Sequence, residues 1–256
     1  MTPVRAKKQL GQHFLTDESI AERITRSLTG RNANLLEIGP GMGVLTRYMV
    51  SDKDLNFKAI EIDHESVRYL RERFQSLDLI EGDFLHIDMR SLFDGPFAII
   101  GNFPYNISSQ ILFRVFESRD LVPEVVGMFQ KEVAERVAAK PGSKTYGILS
   151  VLLSAFYDIE YLFTVHENVF NPPPKVKSAV IRLTRNGIHH LDCDELLFVR
   201  VVKTGFNQRR KTLRNAMKPL GLSLDAIPET LLSMRAEQLS VDDFVTITST
   251  LQKMSC

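Results

Sequence analysis

Short apolar runs at 34–38, 57–62, 77–80, 97–100 and 125–130 alternate with stretches whose apolar residues recur every three or four positions. Runs this short and this rich in Ile, Leu, Val and Phe predict buried strands, and the wider spacing predicts amphipathic helices between them. Ile20, Ile24 and Leu28 form one stripe behind Thr16, which reads as an N-cap. Further helices are expected over 44–50, 65–75, 108–118, 131–139 and 148–155, with Ile111, Leu112, Val115 and Phe116 on the buried face of 108–118. Asn106 or Ser108 is placed to cap that helix, and Asp63 to cap 65–75. Strands and helices separated by loops of two to six residues predict an α/β fold, with a mostly parallel sheet and helices on both faces. Two more strands follow at 157–165 and 178–183, the second in strict period two. After Asn186-Gly187 the period changes to that of helices: one around 196–202, one from Thr212, then 227–234 and 242–252. The chain therefore reads as a large α/β domain over 1–186, led by a basic arm, and a small helical domain over 187–256.

Composition changes this picture only through its distribution. A chain of 256 residues that is 44% hydrophobic and 25% charged has material for a full core. The net charge of +1 points to no partner, yet Arg200, Lys203, Arg209, Arg210, Lys211, Arg214 and Lys218 follow one another without an acidic residue. Arg5, Lys7 and Lys8 add to them near the N-terminus. A near-neutral total thus hides a basic surface of the kind that meets nucleic-acid phosphates, although a run of cations is also an ordinary solvated face. The two cysteines, Cys193 and Cys256, are too few for a disulfide framework and lack metal-ligand spacing. A reducing, cytoplasmic setting is expected, with no metal. The absence of any apolar run of signal-peptide or membrane-spanning length predicts no membrane association.

The candidate chemistry sits at strand ends, where open α/β sheets bind ligands. Gly39-Pro40-Gly41-Met42-Gly43 makes a glycine turn between the first strand and the helix expected after it. Its spacing does not match the dinucleotide fingerprint, and no Lys-Ser/Thr pair makes it a phosphate loop. Gly39 and Gly41 let the backbone approach a ligand without phosphates, and S-adenosylmethionine is the leading candidate. Glu61 ends the second strand about 20 residues later, suited to ribose hydroxyls. Asp83 at the third strand end suits an adenine amino group, with Phe84 flanking the ring. Asn102-Phe103-Pro104-Tyr105 puts a primary amide, a carbonyl beside a proline and an aromatic face within four residues. That set suits a flat heterocycle with an exocyclic amine, although it also makes an ordinary strand-to-helix turn. Phe170 and Pro172-Pro173-Pro174, followed by Lys175 and Lys177, read either as a rigid crossover or as a second aromatic wall beside two cations.

Taken together, Gly11-Gln12-His13-Phe14-Leu15, Glu37 through Gly43, Glu61-Ile62-Asp63, Gly82-Asp83-Phe84, Asn102 through Tyr105, Phe170 through Ser178 and Phe206 through Lys211 resemble the small-subunit ribosomal RNA adenine dimethyltransferases, the KsgA family. The resemblance implies a Rossmann-like S-adenosylmethionine-dependent methyltransferase fold with a helical, RNA-binding C-terminal domain. It implies cofactor contacts from His13, Leu15, Gly39, Glu61, Asp83 and Asn102, and handling of the target adenine by Asn102, Tyr105 and Phe170, with Pro104 shaping the loop. The implied reaction gives N6,N6-dimethyladenosine in small-subunit (16S) rRNA, within a partly assembled 30S-type subunit, by a monomer. Lys175, Lys177, Arg209, Arg210, Lys211 and Arg214 are the expected RNA contacts. Two positions depart from the family pattern: His13 stands where Asn is usual, and Phe103 where a small aliphatic residue is usual. The alternatives are a large-subunit adenine methyltransferase of the macrolide-resistance type, a DNA adenine methyltransferase, and an RNA-binding assembly factor with a vestigial cofactor site. The segment Phe206 to Lys211 argues against the first, the lack of a separate sequence-reading domain against the second, and the complete set Glu61, Asp83, Asn102 and Tyr105 against the third.

Overall fold

A computed structural model describes residues 4–254; Cys256 lies outside them. The strands are β1 (Phe14–Leu15), β2 (Asn34–Ile38), β3 (Asn56–Glu61), β4 (Asp78–Glu81), β5 (Ala98–Asn102), β6 (Glu124–Gln130), β7 (Tyr157–Val165), β8 (Phe170–Asn171) and β9 (Ser178–Arg185). Seven of them form one sheet in the order β4-β3-β2-β5-β6-β9-β7, while β1 and β8 pair separately. The pairs from β4 across to β6 are parallel, and β9 runs antiparallel to β6. β5 is buried up to Asn102 and β6 up to Gln130, as expected of central strands covered on both faces. The strand order reverses between β2 and β5, so the crevice falls beyond the carboxyl ends of these two strands. The glycine turn leaves one of them and Asn102-Tyr105 the other.

The chain divides into two compact units. The first runs to Ala134 and resumes over Ile159–Arg185; it holds the parallel strands and most of the helices that cover them. The second combines Glu135–Asp158 with the chain from Asn186 onward. Its helices Glu195–Asn207 and Val241–Met254 meet through Phe206 and Phe244, stacked at 6.0 Å, and Tyr146 packs edge-on against Phe206 at 6.1 Å. Two short helices, Leu213–Met217 and Glu229–Ser233, fill the space between the long ones in sequence.

Local hydrogen bonding alters several predicted elements. No α-helix occupies 44–50; the segment is a chain of tight turns around a 3-10 helix at Thr46–Tyr48. Gly39, Gly41 and Gly43 all take positive φ, which a continuous right-handed helix cannot include. The Thr46 hydroxyl is committed to Glu37 Oε2 at 2.6 Å. Asp17, not Thr16, caps the first helix, Glu18–Thr25, accepting N–H bonds from Ser19 and Ile20. Thr16 instead gives both its N–H and its hydroxyl to the Val169 carbonyl. Neither Asn106 nor Ser108 caps Ser108–Glu117: the Asn106 amide donates to the Gln9 carbonyl, and the Ser108 hydroxyl to that of Tyr105. Asp63 does cap His64–Arg73.

Phe103 shows how tightly the sheet is built beneath the crevice. Its ring is buried and meets Phe129 edge-on at 5.0 Å. The space it fills exists because Gly101 and Gly127 carry no side chain; a Cβ on Gly127 would lie 2.2 Å from the Phe103 ring and 2.7 Å from Phe129. Gly127→Ala is therefore expected to cost about 1–3 kcal/mol of stability through overpacking. Urea denaturation checks this, and Phe103→Leu in the Gly127→Ala background should recover a good part of the loss.

Candidate active site

A pocket with about 1070 Å³ of empty space, part of it open to solvent, lies at the carboxyl ends of β2, β3 and β5. Its walls are the glycine turn, the end of β3, residues 82–85, the 102–107 loop and an N-terminal stretch, 10–15, that crosses the mouth. Gly39 takes φ 67° and turns the chain against Pro104, whose ring lies 3.6 Å from where a Cβ would stand. Gly41, at φ 57°, faces the Phe14 ring, 2.9 Å from its would-be Cβ. Both positions favour glycine for conformation, and Gly41 needs it for space as well.

Glu61, 4% exposed, organises this end of the pocket. Oε2 accepts the Gly41 N–H at 3.0 Å, and Oε1 accepts those of Ile62 and Asp63 at 2.9 Å each. Burial pushes its carboxyl above the ordinary value although the N–H bonds from Asp63, Gly41 and Ile62 oppose the shift. Two residues away, burial also penalises the Asp63 charge, but Lys7, Gln12, the Glu65 N–H and the Ser66 hydroxyl outweigh it and hold that carboxyl below the usual range. Glu37, beneath the glycine turn, is wholly buried; burial drives its carboxyl to about pKa 8, against the Thr46 hydrogen bond and with help from the charge of Glu61. An acid inside a strand that must be buried is the sequence signal for this group, and it was not singled out above as a site residue. Nor were Lys7 and Gln12. Asp83 spends its carboxylate locally, accepting the Leu85 N–H at 2.8 Å and facing His86 Nδ1 at 2.8 Å, while Phe84 is buried beside it in the pocket wall.

The Asn102 amide donates through Nδ2 to the His13 carbonyl at 3.0 Å. Its Oδ1 takes no donor among the described residues, and Asn102 lines the pocket. The Phe103 carbonyl, which precedes Pro104, likewise takes none, whereas that of Pro104 accepts the Ile107 N–H at 3.2 Å. Tyr105 is tethered by its hydroxyl to Ser178 Oγ, and burial raises its pKa against that bond. Its ring lies 5.2 Å from the His13 imidazole at 30°, and His13 Nδ1 meets the Pro172 carbonyl at 2.7 Å. The His13 side chain thus turns toward Tyr105 and the proline segment, and it is the backbone of His13 that reaches Asn102. Leu15 is buried in the wall.

The structure brings His13, Leu15, Gly39, Gly41, Glu61, Asp83, Asn102, Pro104 and Tyr105 around one pocket. Phe170 is not among its lining residues. Phe170 is a core side chain, 4% exposed and paired with Leu15, because β8 presents Asn171 to solvent and Phe170 inward. Phe103, too, lies mostly beneath the loop, filling the glycine gap. Lys175 and Lys177 are exposed on the strand entrance. In the helical unit, Arg210 and Lys211 are exposed, but Arg209 is ion-paired with Glu237 at 2.7 Å and Arg214 with Glu229. These two carboxylates compete with phosphate for the arginines, so the basic run is less free than its sequence implies. Cys193 is free and its thiol is pushed up to about 11, mainly by burial.

A crevice of this kind at the reversal of a mostly parallel sheet, with an acid ending the second parallel strand, is the ligand site of a Rossmann-like fold. The solved structure of a dimethyladenosine transferase from Plasmodium falciparum superposes with a TM-score of 0.79 at 23% identity, covering 95% of this chain and 98% of that one. The 23S rRNA methyltransferase ErmE superposes at 0.69 with 24% identity, covering 92% and 99%. At these identities the likeness is one of fold. The family model described as ribosomal RNA adenine dimethylase matches residues 4–253, and the chain belongs to that family. A ribosomal RNA small subunit methyltransferase A from Cytophaga hutchinsonii is 58% identical over 98% of this chain and 99% of its own length. Its counterpart from Bacteroides thetaiotaomicron is 57% identical over 99% and 96%.

The pocket fits S-adenosylmethionine on its own chemistry. A glycine cradle that a Cβ would fill, a buried carboxylate with an acceptor position left on Oε2 and an apolar wall at Phe84 and Leu15 are suited to an amino-acid tail, a ribose and a purine respectively. Glu61→Ala is expected to weaken S-adenosylmethionine binding by about 1.5–3 kcal/mol in a protein that remains folded, as read by calorimetry. Glu37 generates a second expectation. Its native pKa of about 8 exceeds the ordinary 4.5, so the folded state keeps a proton that the unfolded state releases. This contribution to stability is complete below pH 4.5 and declines until the native group ionises near pH 8. Denaturation midpoints measured across that window should fall less steeply for Glu37→Gln than for the wild type.

Proposed function

We propose that this chain methylates N6 of adenosines in small-subunit rRNA to give N6,N6-dimethyladenosine, working as a cytoplasmic monomer on a partly assembled small subunit. The observation that carries the reading is the Asn102 amide, held through Nδ2 so that Oδ1 is left to a ligand, with the unpaired Phe103 carbonyl one residue on and the Tyr105 face beyond. The small-subunit assignment draws its support from the relatives above, named ribosomal RNA small subunit methyltransferase A.

S-adenosylmethionine, when bound, supplies a methyl group already activated by its sulfonium. Glu61 would hold the ribose hydroxyls, the Gly39–Gly41 backbone the amino-acid tail, and Asp83 with Phe84 and Leu15 the adenine. The remaining task for the protein is to make a poor nucleophile adequate. The N6 lone pair of adenine is delocalised into the ring. Two acceptors, Asn102 Oδ1 and the Phe103 carbonyl, drawing on its two N–H groups favour a more tetrahedral nitrogen with a localised lone pair. Pro104 keeps the loop stiff by fixing its φ. Tyr105 supplies a stacking face, worth roughly 1–3 kcal/mol per base, and its tether to Ser178 limits how far that face can swing. Positioning of this sort contributes roughly 7–11 kcal/mol in well-oriented reactions. A base within a duplex cannot reach such a pocket, so the target is single-stranded or flipped out.

The helical domain, 187–256, supplies RNA affinity in this reading, with Arg210 and Lys211 as exposed cations that have no carboxylate partner among the described residues; Lys175 and Lys177 are further expected contacts on the α/β domain. Arg210→Ala with Lys211→Ala should lower the salt slope of rRNA binding by roughly one unit per lost contact and leave cofactor affinity alone. Arg209 and Arg214 should contribute less to that slope because each already has a carboxylate. Mass mapping of dimethyladenosine in small-subunit rRNA from cells with and without the chain tests the activity itself; identical maps overturn it. In single-turnover assays at saturating S-adenosylmethionine, Asn102→Ala should slow methyl transfer at least about tenfold, the equivalent of one neutral hydrogen bond of about 1.4 kcal/mol. RNA affinity should be retained.

A further inference from the structure

One wall of the pocket does not belong to the α/β framework. Residues 7–16 cross its mouth as a strap fixed at both ends. At the far end, Phe14 and Leu15 pair with Asn171 and Phe170, and Thr16 donates twice to the Val169 carbonyl. At the near end the anchor is Asp63, whose side chain is 1% exposed. Lys7 ion-pairs with it, reaching Glu65 at 3.2 Å as well, and Gln12 Nε2 donates to its second oxygen at 3.2 Å. Gln12 also accepts the Lys7 N–H at 2.8 Å, which closes the loop between the two strap residues. Between them Gly11 takes φ 62° and lies so close to Asn106 that a Cβ would come within 2.6 Å of its amide oxygen.

His13 sits one residue beyond the Asp63 anchor and one before the Phe14 pairing. Its carbonyl is the acceptor for Asn102 Nδ2. A primary amide has two orientations that differ only by exchange of its oxygen and nitrogen. With the His13 carbonyl in place, one orientation makes a hydrogen bond and the other sets two oxygens against each other. The strap therefore decides which end of the Asn102 amide faces the pocket. We infer that Lys7, Gln12 and Asp63 are positioning residues for methyl transfer, acting on Asn102 by holding the strap so that Oδ1 faces the target base.

The inference rests on the role proposed above for Asn102, and its test separates the two. Asp63 also caps a helix, so the variants are Lys7→Met and Gln12→Glu, which leave that cap intact, with Lys7→Arg as the conservative control. In the full-length chain at saturating S-adenosylmethionine, Lys7→Met and Gln12→Glu should slow single-turnover methylation of rRNA about five- to twentyfold. RNA affinity should hold while the thermal midpoint falls, because the buried Asp63 loses a partner, and Lys7→Arg should recover most of the rate. Combined with Asn102→Ala, neither change should slow the reaction further, since both act on the same amide. A second readout needs no turnover. The side-chain amide protons of Asn102, assigned in 15N spectra by their loss in Asn102→Ala, should exchange with solvent several-fold faster in Lys7→Met. Multiplying rate losses in the double variant, or unchanged amide exchange in Lys7→Met, overturns the inference. A wild-type chain that methylates no rRNA overturns the proposed function instead, and the amide exchange still reports whether the strap holds Asn102.

Discussion

A single carboxylate joins two pieces of backbone at the heart of this protein. Glu61 accepts N–H groups from the glycine turn after β2 and from the two residues that follow its own strand. A buried charge left without such partners would be costly, so neither the turn nor the end of β3 can drift without exposing it to that penalty. The turn in turn presses on Phe14 of the strap, and the strap touches Asn102. Cofactor side and substrate side of the pocket are therefore coupled through contacts that begin at one acid.

The substrate side is arranged on different principles. Its polar groups are neutral: an amide, a carbonyl and a phenol tethered to a serine. A neutral acceptor can draw on an N–H bond without burying a net charge beside the sulfonium that a bound S-adenosylmethionine would carry. Such groups have to be rigid to be useful, and the rigidity is supplied from below. Phe103 plugs the gap left by Gly101 and Gly127, and its N–H donates to the Met128 carbonyl at 3.1 Å, which pins the loop to β6. The aromatic ring that departs from the usual family pattern thus serves as a foundation of the loop, and the polar atoms above it keep their places.

Much of the architecture follows from local pattern. The alternation of short apolar runs with helical stripes predicts the parallel sheet, and strand limits fall within a residue or two because each run ends where a polar or glycine residue must meet solvent or ligand. Gly39, Gly41, Glu61, Asp83 and Asn102 are legible for the same reason: each stands at a strand end, and a parallel sheet gathers those ends on one edge. Where local pattern misleads, a long-range partner has intervened. Glu37 takes the Thr46 hydroxyl where a helix was expected, and Val169 takes Thr16 away from its cap.

By itself, the sequence determined the elements, their order and the polar groups that meet at the crevice, since these depend on residues near one another in the chain. Only the tertiary structure decided which way a side chain turns. Phe170 points inward because β8 pairs with β1, a contact across more than 150 positions. Arg209 and Arg214 are paired because Glu237 and Glu229 fold back beside them. The second unit draws in Glu135–Asp158 although strands follow in the chain, because Tyr146 packs on Phe206. The strap reaches Asp63 across 56 positions through Lys7 and sets the Asn102 amide across 89. Hydrogen bonds and ion pairs of that span leave no periodic trace in a sequence, because the residues that form them need only be close once the chain has folded.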